Sequence, residues 1–408
     1  MTEIAVTGIG VISSLGIGRD AFWEGVRSGR SGIKRITRFD TTAFRSNVAA
    51  WIDDFHPEQF MPPRAYRRMS PLSRMTVAAA VEAIGDSGID LERTDRERIA
   101  VIIGTAYGSS SMVDEFFKGR LREGPRGAHP FTFPETVPNA PASHIAIFLG
   151  ITGPNSTFCQ NALSGESAIM YARNLLLQRC VDVVLVGGAD EISEMEYSCY
   201  DAVLSLNRVT AKEGDAIRPV RGGGLVLGEG AGILVMERAG DARRRDARIY
   251  GLLRSGIVTG GIAAINRYEC RGDQAARAVT RAMEDIGVNP DDIDQIDCSA
   301  NYSRELDTME AAMLRRIFGK RGGDLMVSPL KYRMGDFGGA GVVRAAAALL
   351  SMHARVPLPA IAVDFLDNDV SGDLQWHVGT SGAVKVSLMT GSTFGGAGSS
   401  LIFTTTGG

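Results

Sequence analysis

Two stretches half a chain apart follow one plan. "VAAAVEAIGDSGIDLERTDRERIAVIIGT" (Val77 to Thr105) and "ARAVTRAMEDIGVNPDDIDQIDCSA" (Ala276 to Ala300) each run from an Ala-rich helix through a glycine stop and an acidic linker into a strand. Their offset of about 200 residues, in a chain of 408, is far too long for a solenoid repeat and implies two similar halves packed into one body. Helix-stop-strand segments also occur in α/β proteins without internal duplication, so the echo alone leaves that alternative open. The seam is expected near "MERAGDARRRDARIYGLL", which divides the chain into 1–240 and 241–408.

Short β-branched runs recur along both halves: "EIAVTGIGVI", "RIAVIIGTAYG", "VDVVLVGGADE", "GILVMER" and "SSLIFTTT". They suit strands buried on both faces, and the helical stretches between them, such as "SRMTVAAAVEAIGDSG" and "GESAIMYARNLLLQRC", imply a layered α/β fold. The longest Pro/Gly-rich stretch, Lys118 to His144, is expected as a loop, and its Phe131 and Phe133 imply that it packs against something.

The formal net charge is -3, with both signs scattered, which argues against nucleic acid and membrane surfaces as partners. No apolar run approaches the ~20 residues needed to cross a bilayer. The opening "MTEIAVTGIGVISSLG" lacks a basic region followed by an unbroken apolar run, so a cytoplasmic protein is expected. The five cysteines (Cys159, Cys180, Cys199, Cys270, Cys298) are dispersed with no CxxC pair, as are the histidines His56, His129, His144, His353 and His377. This pattern predicts reduced thiols and no metal site.

One segment has the layout of a nucleophile turn. In "GPNSTFCQNALSGESAIMYARNLLL" apolar residues lead into a tight turn of small residues and then a helix beginning near Ser164. Such a turn exposes its tip, and the helix N-terminus favours an anion there. The tip is Ala162.

This turn resembles the active-site turn of the β-ketoacyl-[acyl carrier protein] synthases, members of the thiolase-fold family, and the resemblance runs nearly end to end. "IAVTGIGVISSLG" and "GRSGIKRITRFD" look like the family's opening segments, and "VDVVLVGGADE" like the strand after the nucleophile helix. "AIRPVRGGGLVLGEGAGILVME" is similar to the R-P…G-E-G-A hairpin and "STFGGAGSSLIF" to the C-terminal F-G-G loop. The resemblance implies two similar βαβαβ-type halves in a five-layered α-β-α-β-α arrangement, with a dimer or tunnel insertion at about 105–145 and no cofactor.

On this alignment the catalytic set is absent. The nucleophilic cysteine falls on Ala162, the first histidine near Asn301 in "SANYSRELDTMEA", and the second on Asp336 in "SPLKYRMGDFGGAG". Lys331 alone is retained. A methyl group cannot form a thioester, and an aspartate opposes the oxyanion that a histidine would stabilise. Lys331 and Asp336 are spaced to pair. Cys159 is expected as a packed thiol and Ser164 as a helix cap.

A family member that has lost these groups resembles the chain-length factor, the inactive half of type II polyketide ketosynthases, whose usual glutamine at the cysteine position is alanine here. The resemblance then implies an active ketosynthase as heterodimer partner and an acyl carrier protein reached through the complex. Tyr107, Met112, Phe116, Phe131 and Phe133 are candidates for the tunnel wall or interface, though each also suits an ordinary apolar role. Phe394 matches a gating phenylalanine. Arg64, Arg67 and Arg68 are candidates for carrier docking or a solvated basic face. A thiolase-fold acyltransferase or decarboxylase using Cys159 or Ser164, and a homodimeric scaffold, are the alternatives.

Overall fold

The computed structural model describes residues 2–407 except 213, 265, 270, 320–325 and 361–381, so Cys270 and His377 fall outside the described residues. The strands are β1 (Ile4–Ser13), β2 (Gly16–Ile17), β3 (Ile33–Arg35), β4 (Val48–Ala50), β5 (Ile99–Gly104), β6 (Asn155–Phe158), β7 (Val183–Asp190), β8 (Gly230–Arg238), β9 (Gly251–Thr259), β10 (Gln295–Asp297), β11 (Met326–Val327), β12 (Val386–Ser392) and β13 (Gly398–Thr404). The helices are α1 (Arg19–Arg27), α2 (Pro63–Tyr66), α3 (Pro71–Ser87), α4 (Ser110–Glu123), α5 (Ala140–Leu149), α6 (Ser164–Leu177), α7 (Glu194–Ala202), α8 (Ala239–Arg244), α9 (Asp273–Ile286), α10 (Arg304–Phe318), α11 (Lys331–Met334) and α12 (Ala340–Ala354).

The main sheet runs β11-β10-β12-β13-β9-β1-β8-β7-β5-β6, with β2 attached to β1 and β3-β4 forming a separate ribbon. This order is palindromic. Ranked within its own half, each set reads third, second, fourth, fifth, first, and the two first strands, β1 and β9, meet antiparallel through Ile4–Val6 and Gly251–Leu253. Pairing directions repeat as well. β5 is parallel to β6 and β7 as β10 is to β11 and β12, and the remaining neighbours are antiparallel in both halves.

The echo seen in the sequence is therefore α3–β5 matched by α9–β10. Both helices end at a glycine in the left-handed region, Gly88 at φ 67° and Gly287 at φ 70°, where a side chain would be strained. Strands β1, β5, β7, β8 and β13 are buried along their whole lengths. Helices α3 and α5 pack on the outer face of one half-sheet and α9 with α10 on the outer side of the other. Between them lie α6 and α12, and α12 touches β7 and β8 of the first half and β12 of the second. Its run Ala340–Met352 is entirely buried, which the four consecutive alanines make possible by letting backbones approach closely.

The stretch expected as a loop is partly helical. Helix α4 continues to Glu123, supported by the Asp114–Lys118 pair at 2.7 Å, and stops at Gly124 with φ 64°, while α5 takes up the last residues. The seam segment forms the end of β8, the short α8 and the start of β9. No helix among the described residues is long and apolar enough to cross a membrane.

Candidate functional site

The two central helices bring their N-termini together. After β6 the chain passes Cys159 and Gln160, makes a short turn over Asn161–Leu163, and enters α6. Asn161 takes φ 50° at the bend, and Ala162 beside it is buried, 8% exposed. Ser164 is the first helical residue rather than a cap: its hydroxyl donates to the Asn161 carbonyl at 2.7 Å and accepts the Gln160 N–H at 2.8 Å, cross-tying the turn. Cys159 is exposed, not packed, because it sits on the open end of the sheet beyond β6.

The segment before α12 presses on this turn. The Gly165 N–H donates to the Gly338 carbonyl at 3.2 Å. A β-carbon at Gly338 would lie 2.6 Å from that of Ala106 and 2.8 Å from the Asn161 carbonyl oxygen, so glycine is required for this approach. Two residues earlier, Asp336 is pinned through its backbone, its N–H donating to the Val226 carbonyl at 2.8 Å and its carbonyl accepting the Gly228 N–H at 3.0 Å.

Asn301, Lys331 and Asp336 converge there. Lys331 Nζ lies 2.7 Å from Asp336 Oδ1, and Asn301 Nδ2 donates to Asp336 Oδ2 at 2.6 Å. All three are buried, Lys331 and Asn301 at 1% exposure. The Tyr268 phenol meets Asn301 from another side, and burial, followed by the Asp336 charge, raises its pKa well above the usual tyrosine range. Its ring packs 4.7 Å from that of Phe394, and both line a cleft of about 570 Å3 with Leu204, Arg208, Gly224 and Arg304. Beyond Asn301, Tyr302 at φ 76° stacks on Tyr332 at 3.7 Å, and the Tyr332 hydroxyl donates to Asp307 at 2.6 Å.

A second buried circuit lies alongside. Arg344 of α12 is wholly buried, donating to Asp297 Oδ2 at 2.8 Å and to the Thr390 carbonyl at 2.8 Å, with Glu166 of α6 at 3.4 Å. Glu310 accepts from Ser299 and Thr390 at 2.8 Å each. Burial raises the pKa of Glu166, Asp297 and Glu310, while the charges of Arg344 and Lys331 work against that rise. Nothing in the spacing announces Tyr268. Arg344, by contrast, stands alone in the apolar helix "GVVRAAAALL", and a lone arginine on such a face signals a buried acidic partner.

The other candidates distribute over the surface. Tyr107 is 45% exposed, and its hydroxyl lies 3.2 Å from that of Tyr200. Met112 and Phe116 are partly buried on α4, and Phe116 packs 5.7 Å from Phe133 and lines a cleft of about 360 Å3. Phe131 and Phe133 are both exposed, so neither is a core residue of this chain. Arg64, Arg67 and Arg68 are exposed, and Arg68 sits over the Phe131 ring at 4.6 Å.

The described histidines are engaged elsewhere: His56 with Asp54 and Glu58, His129 beside Phe131, His144 with Glu135, and His353 beside Tyr250. Around Ala162, Asn301 and Asp336 the described residues offer amides, phenols and a paired lysine, with no imidazole among them.

The chain belongs to the β-ketoacyl synthase family. Residues 1–242 match the beta-ketoacyl synthase N-terminal domain and residues 250–364 its C-terminal domain. Among similar proteins is the 3-oxoacyl-[acyl-carrier-protein] synthase 2 of Vibrio cholerae serotype O1, 29% identical over 407 residues that cover 98% of each chain. The enzyme of the same name from Staphylococcus aureus strain COL is 29% identical over 380 residues, 90% of this chain and 92% of that one. Among solved structures, the ishigamide ketosynthase/chain length factor is similar at 27% identity and TM-score 0.88, covering 99% of both chains. A ketosynthase from Xenorhabdus doucetiae in complex with its chain length factor, at 22% identity, TM-score 0.83 and coverage of 99% and 98%, shares the fold.

Proposed function

We propose that this chain is a non-condensing ketosynthase-like subunit, a chain-length factor, that pairs with an active ketosynthase and shapes its acyl tunnel in polyketide or specialised fatty-acid synthesis. The observation that carries this reading is the set Asn301–Asp336–Lys331, joined by an ion pair and a hydrogen bond, together with Ala162 at the turn. A condensing centre needs a thiolate to hold the acyl group and donors free to meet a developing oxyanion. Here the turn presents a methyl group, the amide of Asn301 donates to the Asp336 carboxylate, and the ammonium of Lys331 lies in ion-pair contact with the same group.

The sheet edge supports a paired subunit. Among the described residues strand β6 ends the sheet with one side of its backbone ladder unpaired, and exposed apolar residues flank it: Ile147 on α5 at 76% and Tyr171 on α6 at 38%. An open edge with such flanks is a surface that a partner covers. On this reading Phe116, Phe133, Met112 and Tyr107 face the partner's acyl chain, and Arg64, Arg67 and Arg68 help dock an acyl carrier protein on the complex.

Coexpression with an active ketosynthase, native mass spectrometry and a condensation assay test the proposal. A one-to-one heterodimer that condenses, and a purified chain that alone does not, are the expected results. Condensation of acyl and malonyl thioesters by the chain alone at a normal ketosynthase rate overturns it.

A further inference from the structure

Phe131 and Phe133 stand two residues apart and serve different neighbours. Phe133 joins Phe116 of α4, whereas Phe131 lies under the guanidinium of Arg68, 4.6 Å from ring centre to Cζ. The insertion that carries both is fastened to the same place by Glu135. This buried carboxylate accepts the Ser70 N–H at 2.9 Å and the Ser73 hydroxyl at 2.9 Å and is paired with His144. Ser70 caps α3 and immediately follows the basic segment, so the insertion and the arginines share one foundation.

Arg64, Arg67 and Arg68 make no ion pair or side-chain hydrogen bond among the described residues, and their charge suits an acidic protein surface. Long exposed side chains lose rotamer freedom when they bind, and a side chain already held loses less. An aromatic face can hold a guanidinium without using any of its five N–H donors.

Resting on the carrier-docking reading above, we propose that Phe131 is a positioning residue for that surface, holding Arg68 ready for the carboxylates of an acidic carrier protein. Docking then also steadies the insertion, because a coupling between two contacts acts in both directions. The basic segment and the aromatic residues of the proposed tunnel wall thus belong to one linked unit.

The test titrates a holo acyl carrier protein, as an acidic probe, onto the full-length chain at low salt. Arg64→Glu and Arg67→Glu weaken binding at least tenfold. Phe131→Ala weakens it roughly two- to fivefold, the size of an exposed cation–π contact. Phe131→Tyr retains wild-type affinity, and Phe131→Ala adds nothing to Arg68→Ala. Wild-type affinity in Phe131→Ala, with the arginine variants still weak, overturns the positioning role and leaves carrier docking standing. Arginine variants that bind as well as wild type overturn the docking reading itself.

Discussion

Lys331 Nζ and Asp336 Oδ1 lie 2.7 Å apart in the interior as an ion pair, and Asn301 donates a hydrogen bond to the other carboxylate oxygen. Such a pair gains little over a well-packed apolar pair, but removing one member leaves a buried charge uncompensated. Asp336→Ala and Lys331→Ala each therefore lower stability by about 3–5 kcal/mol, while the double replacement Lys331→Met with Asp336→Leu costs clearly less than the sum. Chemical denaturation of the four proteins measures this.

The same set governs attempts to restore chemistry. Ala162→Cys supplies a thiol but neither imidazole nor a free oxyanion donor, so the variant shows no condensation above wild type in a radiolabelled malonyl assay. Intact-mass analysis after incubation with an acyl thioester finds wild-type Cys159 and Ser164 unmodified. An acyl adduct on either would favour a non-standard acyltransferase.

Asp307 sets a pH dependence. Burial raises its pKa to about 7, against an ordinary value of about 4. The folded chain holds this proton more tightly than the unfolded chain, so the group's contribution is complete below about pH 4 and is lost as pH rises to about 7. Each unit of the difference is worth about 1.4 kcal/mol. Asp307→Asn, which mimics the protonated acid, flattens that part of the profile in denaturation experiments run from pH 4 to pH 8.

Tunnel residues are tested through the partner's product. In the heterodimer, Phe116→Ala and Met112→Ala remove bulk from the proposed wall and shift the product toward longer chains by at least one two-carbon unit, read by mass spectrometry. Phe131→Ala, which on the proposed division of labour lies outside the wall, leaves product length unchanged.

Much of the fold is legible because its signals are local. Apolar runs containing or bounded by glycine mark β1, β5, β7 and β8, and the helix-glycine-strand echo marks the repeated plan, since Gly88 and Gly287 take a conformation few other residues tolerate. The five-residue spacing of Lys331 and Asp336 predicts their pairing for the same reason. What lies between distant segments is less legible. Tyr268 reaches Asn301 only through the tertiary fold, and Cys159 looks packed in its sequence context but stands at an open sheet edge. The extension of α4 to Glu123 lies hidden among glycines and prolines that suggest a loop, because the helix ends only at Gly124.

The palindromic sheet has a consequence for what counts as a module. Helix α12 belongs by order to the second half, yet it packs against β7 and β8 of the first as well as β12 of the second. The direct strand contact between halves is three residue pairs long, so this shared helix, with α6 beside it, is the main fastening. One apolar cluster draws on both halves, while two others each lie within a single half. Detaching either half would expose its share of the common cluster, so a plan carried twice does not make two independent modules.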